Sequence, residues 1–275
     1  MKIEGHTHTE LCPHGNGDST AQMIERAIKL GFDEYHITEH APLPTDFIRA
    51  YSGDPKNVAT ASLQWDQLAD YFSLANRLKE KYQNKIKITI GFEVDYLEDY
   101  EKQISSFLRK ISSVTENNII SVHYLKNKNG DYFGIDYSPD ELKAGFSADL
   151  INGQDLYFRY FKTILKSVTA FADCDMPGKI GHMSLIKKYQ DYFALPTNFS
   201  ASNMALINQI LTVAQNKQLK IDFNTTGLYK SYCNDIYPGK QIIDFARQKE
   251  IQFEFGSDAH SIREVGHGYH LFEYL

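Results

Sequence analysis

The chain has 275 residues, 42% of them hydrophobic and 23% charged, an ordinary globular balance with length enough for one large α/β domain or two small ones. Its net charge of −6 disfavours a nucleic-acid partner held through a broad basic surface. No run of about 18 apolar residues exists to span a membrane, no basic-then-apolar leader opens the sequence, and the three scattered cysteines, Cys12, Cys174 and Cys233, fit a reducing cytoplasm better than a disulfide framework.

Along the chain, short β-branched apolar runs alternate with longer amphipathic stretches. A first strand is expected over Lys2–Thr7, running into HTHTELCPHG. A helix follows over Thr20–Leu30, with Thr20 suited to the N-cap and Gly31 to a left-handed stop. Strand Asp33–Glu39 then pairs with helix Ser62–Lys81, strand Ile86–Val94 with helix Tyr100–Ser113, and strand Ile119–Tyr124 with helix Gly153–Ala172. Strand Lys179–Met183 precedes helix Ser202–Asn216, which Ser202 would cap. Strand Leu219–Asn224 precedes helix Lys240–Lys249, and strand Ile251–Gly256 ends the series. Segments Pro42–Thr60 and Asn127–Gly145 read as long loops over one face.

Seven β-then-α units with no hairpin signal imply a parallel sheet, because parallel strands need helical crossovers. That sheet is either open and doubly wound or closed into a barrel. A dinucleotide-binding open sheet usually carries a Gly-rich turn after its first strand, where this chain has HTHTELCPHG.

The polar residues fall in register with the strand ends. His6 and His8 end the first strand, His40 the second, Glu93 the third, His123 the fourth and His182 the fifth; Asp258 and His260 follow the last. The sixth strand delivers Asn224, a poor ligand. In parallel α/β folds the strand C-termini meet at one face, so residues far apart in sequence converge there. His6 and His8, two apart, point to one side of their strand, as do Asp258 and His260. His14 lies just beyond the first strand, close enough to fold back over the same mouth. Imidazole with a minority of carboxylate suits zinc, iron or manganese rather than calcium or magnesium. The nine candidates His6, His8, His14, His40, Glu93, His123, His182, Asp258 and His260 exceed one ion's needs, and a bridging Glu93 would serve two or three ions. Metals clustered within a few ångströms suit phosphoester hydrolysis, because they activate a water and clamp the phosphoryl oxygens.

The series HTHTELCPHG, ITEH, GFEVDY, SVHYL, IGHMSL and GSDAH resembles the motifs of the PHP (polymerase and histidinol phosphatase) superfamily, and more closely its histidinol-phosphate phosphatases. The resemblance runs from His6 to His260 with no metal position lost. It implies an α/β fold of one PHP domain over residues 1–275, a distorted (β/α)7 barrel with its metal site at the C-terminal end of the strands. It also implies three metal sites: His6, His8, Glu93 and Asp258 at the first; Glu93, His123 and His182 at the second, with Glu93 bridging; His14, His40 and His260 at the third. Glu93, Asp258 and His260 then carry metal-linked catalysis, and the expected reaction is hydrolysis of L-histidinol phosphate, a small phosphorylated substrate. The alternatives are a nuclease or other phosphoesterase of the same superfamily, a metal-binding relative without activity, and an amidohydrolase, whose barrels usually have eight units.

Other residues carry blander readings. His36 reads as a hydrogen-bonded core histidine, and His267 and His270 as surface or packing residues. Glu39 is either an outward ion pair or a partner of a ligand, and Asp95 is placed to orient a ligand histidine. Cys12 reads as packing. Phosphate needs a cation beyond the metals: Arg263, three residues past His260, is the best placed, Arg159 needs its helix to approach the mouth, and Lys179 lies deep.

Overall fold

The computed structural model describes residues 1–171 and 177–275; the expected helix end at Ala172, and Cys174, lie outside the described residues. The strands in chain order are β1 (Ile3–Glu4), β2 (Glu34–His40), β3 (Lys87–Asp95), β4 (Ile119–Ser121), β5 (Tyr124–Lys126), β6 (Tyr132–Gly134), β7 (Lys179–Ile180), β8 (Lys220–Asn224) and β9 (Phe253–Gly256). Seven of them form one parallel sheet in the order β1-β2-β3-β4-β7-β8-β9. Its two ends meet: Gly5 N donates to Phe255 O at 2.9 Å, Asp258 N to His6 O at 2.9 Å and His8 N to Ala259 O at 3.0 Å. The sheet is thus a nearly closed barrel, the second of the two architectures the β-then-α series allowed.

The helices are α1 (Thr20–Lys29), α2 (Thr45–Ala50), α3 (Pro55–Thr60), α4 (Leu68–Tyr82), α5 (Glu101–Ile111), α6 (Pro139–Phe146), α7 (Gln154–Ala170), α8 (Ala201–Asn216), α9 (Lys240–Gln248) and α10 (Tyr269–Phe272). The long ones wrap the barrel and bury one stripe each. In α5 that stripe is Ile104, Phe107, Leu108 and Ile111, the i, i+3, i+4, i+7 spacing of a helix with one apolar face. They pack on strands buried on both faces, such as β3, where Ile88, Ile90 and Phe92 lie on one face and Thr89 and Glu93 on the other. Each fully buried Ile or Phe contributes about 1.5–3 kcal/mol relative to exposure. None of the helices among the described residues is long and apolar enough to cross a membrane.

Four local expectations are corrected. Ser19, not Thr20, stands at the N-cap of α1, and the end is satisfied from outside: Thr20 N donates to Glu10 Oε2 at 2.7 Å while Glu10 N donates to Thr20 Oγ1 at 3.0 Å. Ser200 rather than Ser202 caps α8, its Oγ accepting from Asn203 N at 3.3 Å. Asn127–Gly145 is not all loop, because it holds the antiparallel partner of β5: β6 pairs with Tyr124–Lys126 in a hairpin. Its turn is KNKNGDY, where Asn127 Oδ1 accepts from Asn129 N and Asp131 N at 2.8 and 3.0 Å and Gly130 has φ +91°. The Asn-Gly pair is a hairpin signal that the reading in parallel units passed over. Pro42–Thr60 likewise contains α2 and α3. Gly31 does adopt the left-handed conformation, φ +76°, after α1.

Candidate metal centre

The strand ends leave the ladder just before the mouth, so β1, β4 and β7 are shorter than expected and His6, His8, His123 and His182 lie past them. His40 and Glu93 remain inside the ladder, and their register makes them direct neighbours on β2 and β3. His40 Nδ1 is accordingly 3.1 Å from Glu93 Oε2. Asp258 follows β9 with a left-handed backbone, φ +55°, a conformation that costs a non-glycine residue free energy and recurs where a side chain must be aimed. His14 folds back as expected, its Nε2 lying 3.0 Å from His260 Nε2.

All nine candidates converge. The donor atoms of His6, His8, Glu93 and Asp258 lie within 4.8 Å of one another, and so do those of Glu93, His123 and His182. A third such group holds His8, Cys12, His40 and His260. Cys12 is the surprise there. Its thiol is buried and kept protonated first by burial and then by Glu39, so as it stands it packs; a cation nearby would pull it the other way. His8 faces two ways: its Nδ1 is 3.2 Å from Glu39 Oε1 and its Nε2 is 3.0 Å from Asp258 Oδ1.

The orientation of the rings tests whether the site suits a metal. His14 Nδ1 donates to Thr60 O at 2.9 Å and His260 Nδ1 to Asp258 O at 2.9 Å. A carbonyl only accepts, so each Nδ1 carries the proton. Burial first, then the charge of His8, lowers the pKa of His260, and burial chiefly lowers that of His14, so both rings are neutral. Their two Nε2 lone pairs then face each other at 3.0 Å, an arrangement that a shared cation satisfies and a hydrogen bond does not. The pattern repeats. His6 Nδ1 pairs with Asp222 Oδ2 at 2.7 Å and His123 Nδ1 with Asp95 Oδ1 at 2.8 Å, so their Nε2 atoms point at Glu93, 3.2 and 3.6 Å away. His40 Nε2 and His6 Nε2 are buried without a hydrogen-bond partner. Metal-ligating histidines are usually fixed this way, one nitrogen on a carboxylate or carbonyl and the other free. The donor set fits transition-metal ions.

Charge agrees with geometry. Burial alone would lower the His8 and His123 imidazoles, yet the carboxylates beside them hold them up at about 9 and about 10. Burial would raise Glu93 and Asp258, yet the surrounding imidazoles keep both carboxyls well below the usual range. The centre therefore favours positive charge wherever its carboxylates reach.

Above the cluster lies a cavity of about 420 Å³ lined by His14, Glu93, His123, Asp258 and His260 among others. Arg263 lines it, as expected, and so do Lys188 and Lys230, which the sequence reading did not single out. Arg159 does not line it: its Nη2 donates to Asp149 Oδ1 at 2.9 Å and its Nη1 to Lys126 O at 3.3 Å. Lys179 points into the barrel interior, donating to Gly5 O at 2.5 Å and Glu254 Oε1 at 2.8 Å, because the first residue of β7 lies a whole strand depth below His182. His36 is the buried, hydrogen-bonded histidine expected, 2.9 Å from Glu34 Oε1, and the His267 ring packs on Tyr229 at a centroid distance of 4.2 Å. Glu39 is turned inward, accepting from Thr9 N at 2.8 Å as well as facing His8.

One wall of the cavity is clamped by a buried carboxylate. Glu141 accepts from the Tyr51 hydroxyl, from Asn57 Nδ2 at 3.1 Å, from Asp54 N at 3.2 Å and from Gly134 N at 2.7 Å. It thereby ties the α2–α3 segment to the β5–β6 hairpin. Gly134 is required there, since a Cβ would stand 2.2 Å from Asn57 Nδ2.

Known proteins agree with this architecture. A family model described as the PHP domain matches residues 4–226, and one described as PHP-associated matches residues 240–274. The chain is 34% identical over 272 residues to the histidinol-phosphatase of Bacillus subtilis strain 168, covering 99% of this chain and 98% of that protein. A crystal structure of a candidate histidinol phosphatase from Listeria monocytogenes superposes with a TM-score of 0.94 at 37% identity, covering 98% of this chain and 100% of that one. A histidinol phosphate phosphatase from Lactococcus lactis, crystallised with zinc, L-histidinol and phosphate, shares the fold with a TM-score of 0.71 at 19% identity, covering 99% of this chain and 93% of that one.

Proposed function

The chain belongs to the PHP family, and from that premise we propose that it is a metal-dependent phosphomonoesterase that hydrolyses L-histidinol phosphate to L-histidinol and phosphate, in L-histidine biosynthesis in the cytoplasm. The observation that carries the reading is the set of imidazole Nε2 atoms facing one another and Glu93 across a cavity, in a chain similar along its length to a histidinol-phosphatase. Residues 1–275 are read as one PHP domain, because β9, inside the PHP-associated segment, hydrogen-bonds to β8 and completes the barrel against the start of the chain.

Two or three ions of zinc, iron or manganese would be held in this reading. His6, His8, Glu93 and Asp258 hold one; Glu93, His123 and His182 hold another; His14, His40 and His260, with Cys12 within reach, hold the third. When bound, such ions supply a nucleophile from water at neutral pH and neutralise phosphoryl charge. The chain's own residues do the rest. Asp222, Glu39 and Asp95 fix the tautomer of His6, His8 and His123. Arg263 and Lys188 face the cavity and meet the phosphoryl oxygens, Arg263 with donors suited to a two-point clamp.

The test is direct. Bound metals are measured on the purified protein, and phosphate release is assayed with L-histidinol phosphate, a generic aryl phosphate and single-stranded DNA. Strong preference for L-histidinol phosphate is expected. Nuclease activity alone, or metal binding without turnover, refutes the reading.

A further inference from the structure

Resting on that reading of the substrate, we propose that Asp136 receives the substrate's ammonium group and so restricts the site to phosphate monoesters of vicinal amino alcohols. In such a molecule the ammonium sits on the carbon next to the ester CH2. Its counter-ion must therefore stand beside the phosphate, not at the far end of the cavity.

Asp136 meets that demand. It lines the cavity two residues past β6, and Ile135 N donates to His123 O at 2.9 Å, so the carboxylate stands next to the His123 end of the centre. Its own carbonyl accepts from Tyr189 OH at 2.7 Å, which fixes the backbone. Its Oδ2 accepts from Lys188 Nζ at 3.1 Å. Lys188 lines the same cavity, so phosphate, Lys188, Asp136 and ammonium form a row of alternating charge. The other cavity carboxylates are committed elsewhere: Glu93 and Asp258 face histidines, Asp95 holds His123, and Glu264 Oε2 accepts from His260 N at 2.9 Å. A phosphate ester without the ammonium draws on Lys188 and gives Asp136 nothing in return. Discrimination follows from leaving a half-buried carboxylate short of a cation.

The experiment compares the metal-loaded wild type and Asp136→Asn on L-histidinol phosphate and on its des-amino analogue, imidazolylpropyl phosphate. The wild type should prefer the amino substrate by roughly 10- to 100-fold in kcat/KM, the range for losing a hydrogen bond to a charged group. Asp136→Asn should lose that preference, chiefly through KM, while its metal content and its rate on the analogue stay within about threefold. Asp136→Glu, which keeps the charge, should retain most of the preference. Equal wild-type rates on the two imidazole substrates overturn the role of Asp136, and need no variant to fold. An equal fall of Asp136→Asn on both substrates also overturns it, because Asp136 would then only hold Lys188. A wild type that cleaves aryl phosphate or DNA but neither imidazole substrate overturns the substrate reading itself.

Discussion

Two clusters of buried ionisable side chains occupy one barrel at different depths. The lower one sits where the strands begin. Glu254 pairs with Lys179 at 2.8 Å and Lys220 at 2.6 Å, Glu34 pairs with Lys87 at 3.1 Å, and His36 lies between the two carboxylates, 2.9 Å from Glu34 and 3.3 Å from Glu254. The upper one sits where the strands end, and its carboxylates Glu39, Glu93, Asp95, Asp222 and Asp258 face imidazoles; among the described residues no lysine or arginine is paired with any of them. Lys87 and Lys220 reach toward solvent, but Glu34, His36, Lys179 and Glu254 are as buried as the upper set, so burial alone does not tell the two apart. The difference is in the counter-charges: the lower set pairs its two carboxylates with lysines, and the upper set pairs its carboxylates with imidazoles alone. A cluster whose carboxylates are paired with lysines holds the barrel together, whereas one left short of fixed positive charge is built to receive something.

The comparison can be broken in several ways. The largest effect is expected from Glu93→Ala, which removes the carboxylate facing His6, His40 and His182 at 3.2, 3.1 and 2.7 Å. Metal analysis should show two ions lost together and turnover reduced about a thousandfold or more; unchanged metal content would refute Glu93 as a bridge. Next comes Lys179→Met, which strips Glu254 of a buried partner. Denaturant titration should show a loss of about 3–5 kcal/mol, with metal content and turnover per folded molecule preserved. A variant that loses metal instead would mean that the two clusters are coupled. Asp222→Asn should lower metal affinity about 10- to 100-fold by releasing the His6 ring, a loss read by competition with a chelator.

The smallest effect is the share that Glu254 contributes to an acid pH dependence to which the depressed Glu93 and Asp258 also contribute. Burial alone would raise the Glu254 carboxyl, but Lys179 and His36 bring it well below its ordinary 4.5. A depressed carboxyl stabilises the fold fully above its unfolded value and loses that contribution as pH falls below it. Stability of the chelator-treated protein should therefore decline below about pH 4.5, with Glu254 contributing about 1–2 kcal/mol over the first pH units, and Lys179→Met should make that decline shallower by this share. Urea midpoints between pH 3 and 6 measure it, and a wild-type curve that is flat there contradicts the assignment.

The upper cluster was readable from sequence because its members recur at the ends of β-branched runs, and a parallel barrel turns that regularity into proximity. His14 was the exception that parity could not place, and its loop returns as required. Asp222 was missed because strand KIDFN was read for its last residue, Asn224, although Asp222 shares its parity. Of the lower cluster only His36 and the depth of Lys179 were legible, since a glutamate or lysine opening a strand looks like a solvated end until the barrel closes around it. Lys188 and Asp136 lie on turns between elements, where neither period two nor period 3.6 says which way a side chain points. The β5–β6 hairpin was announced by Asn-Gly and lost to the expectation of parallel units. Arg159 was misjudged because a helix can carry its arginine to a neighbour's carboxylate, here Asp149, instead of to the mouth.

The seam where Asp258 N meets His6 O joins the two extremes of the sequence. On a ribosome adding roughly 5–20 residues per second, tens of seconds separate the emergence of His6 from that of Asp258. Until β9 arrives the ring is open, and of the proposed ligand groups only that of Glu93, His123 and His182 has all its members. Ion capture at the proposed sites that use Asp258 or His260 would thus wait for the end of biosynthesis, and a chain cut just before β9 would keep Glu93, His123 and His182 but lack Asp258 and His260.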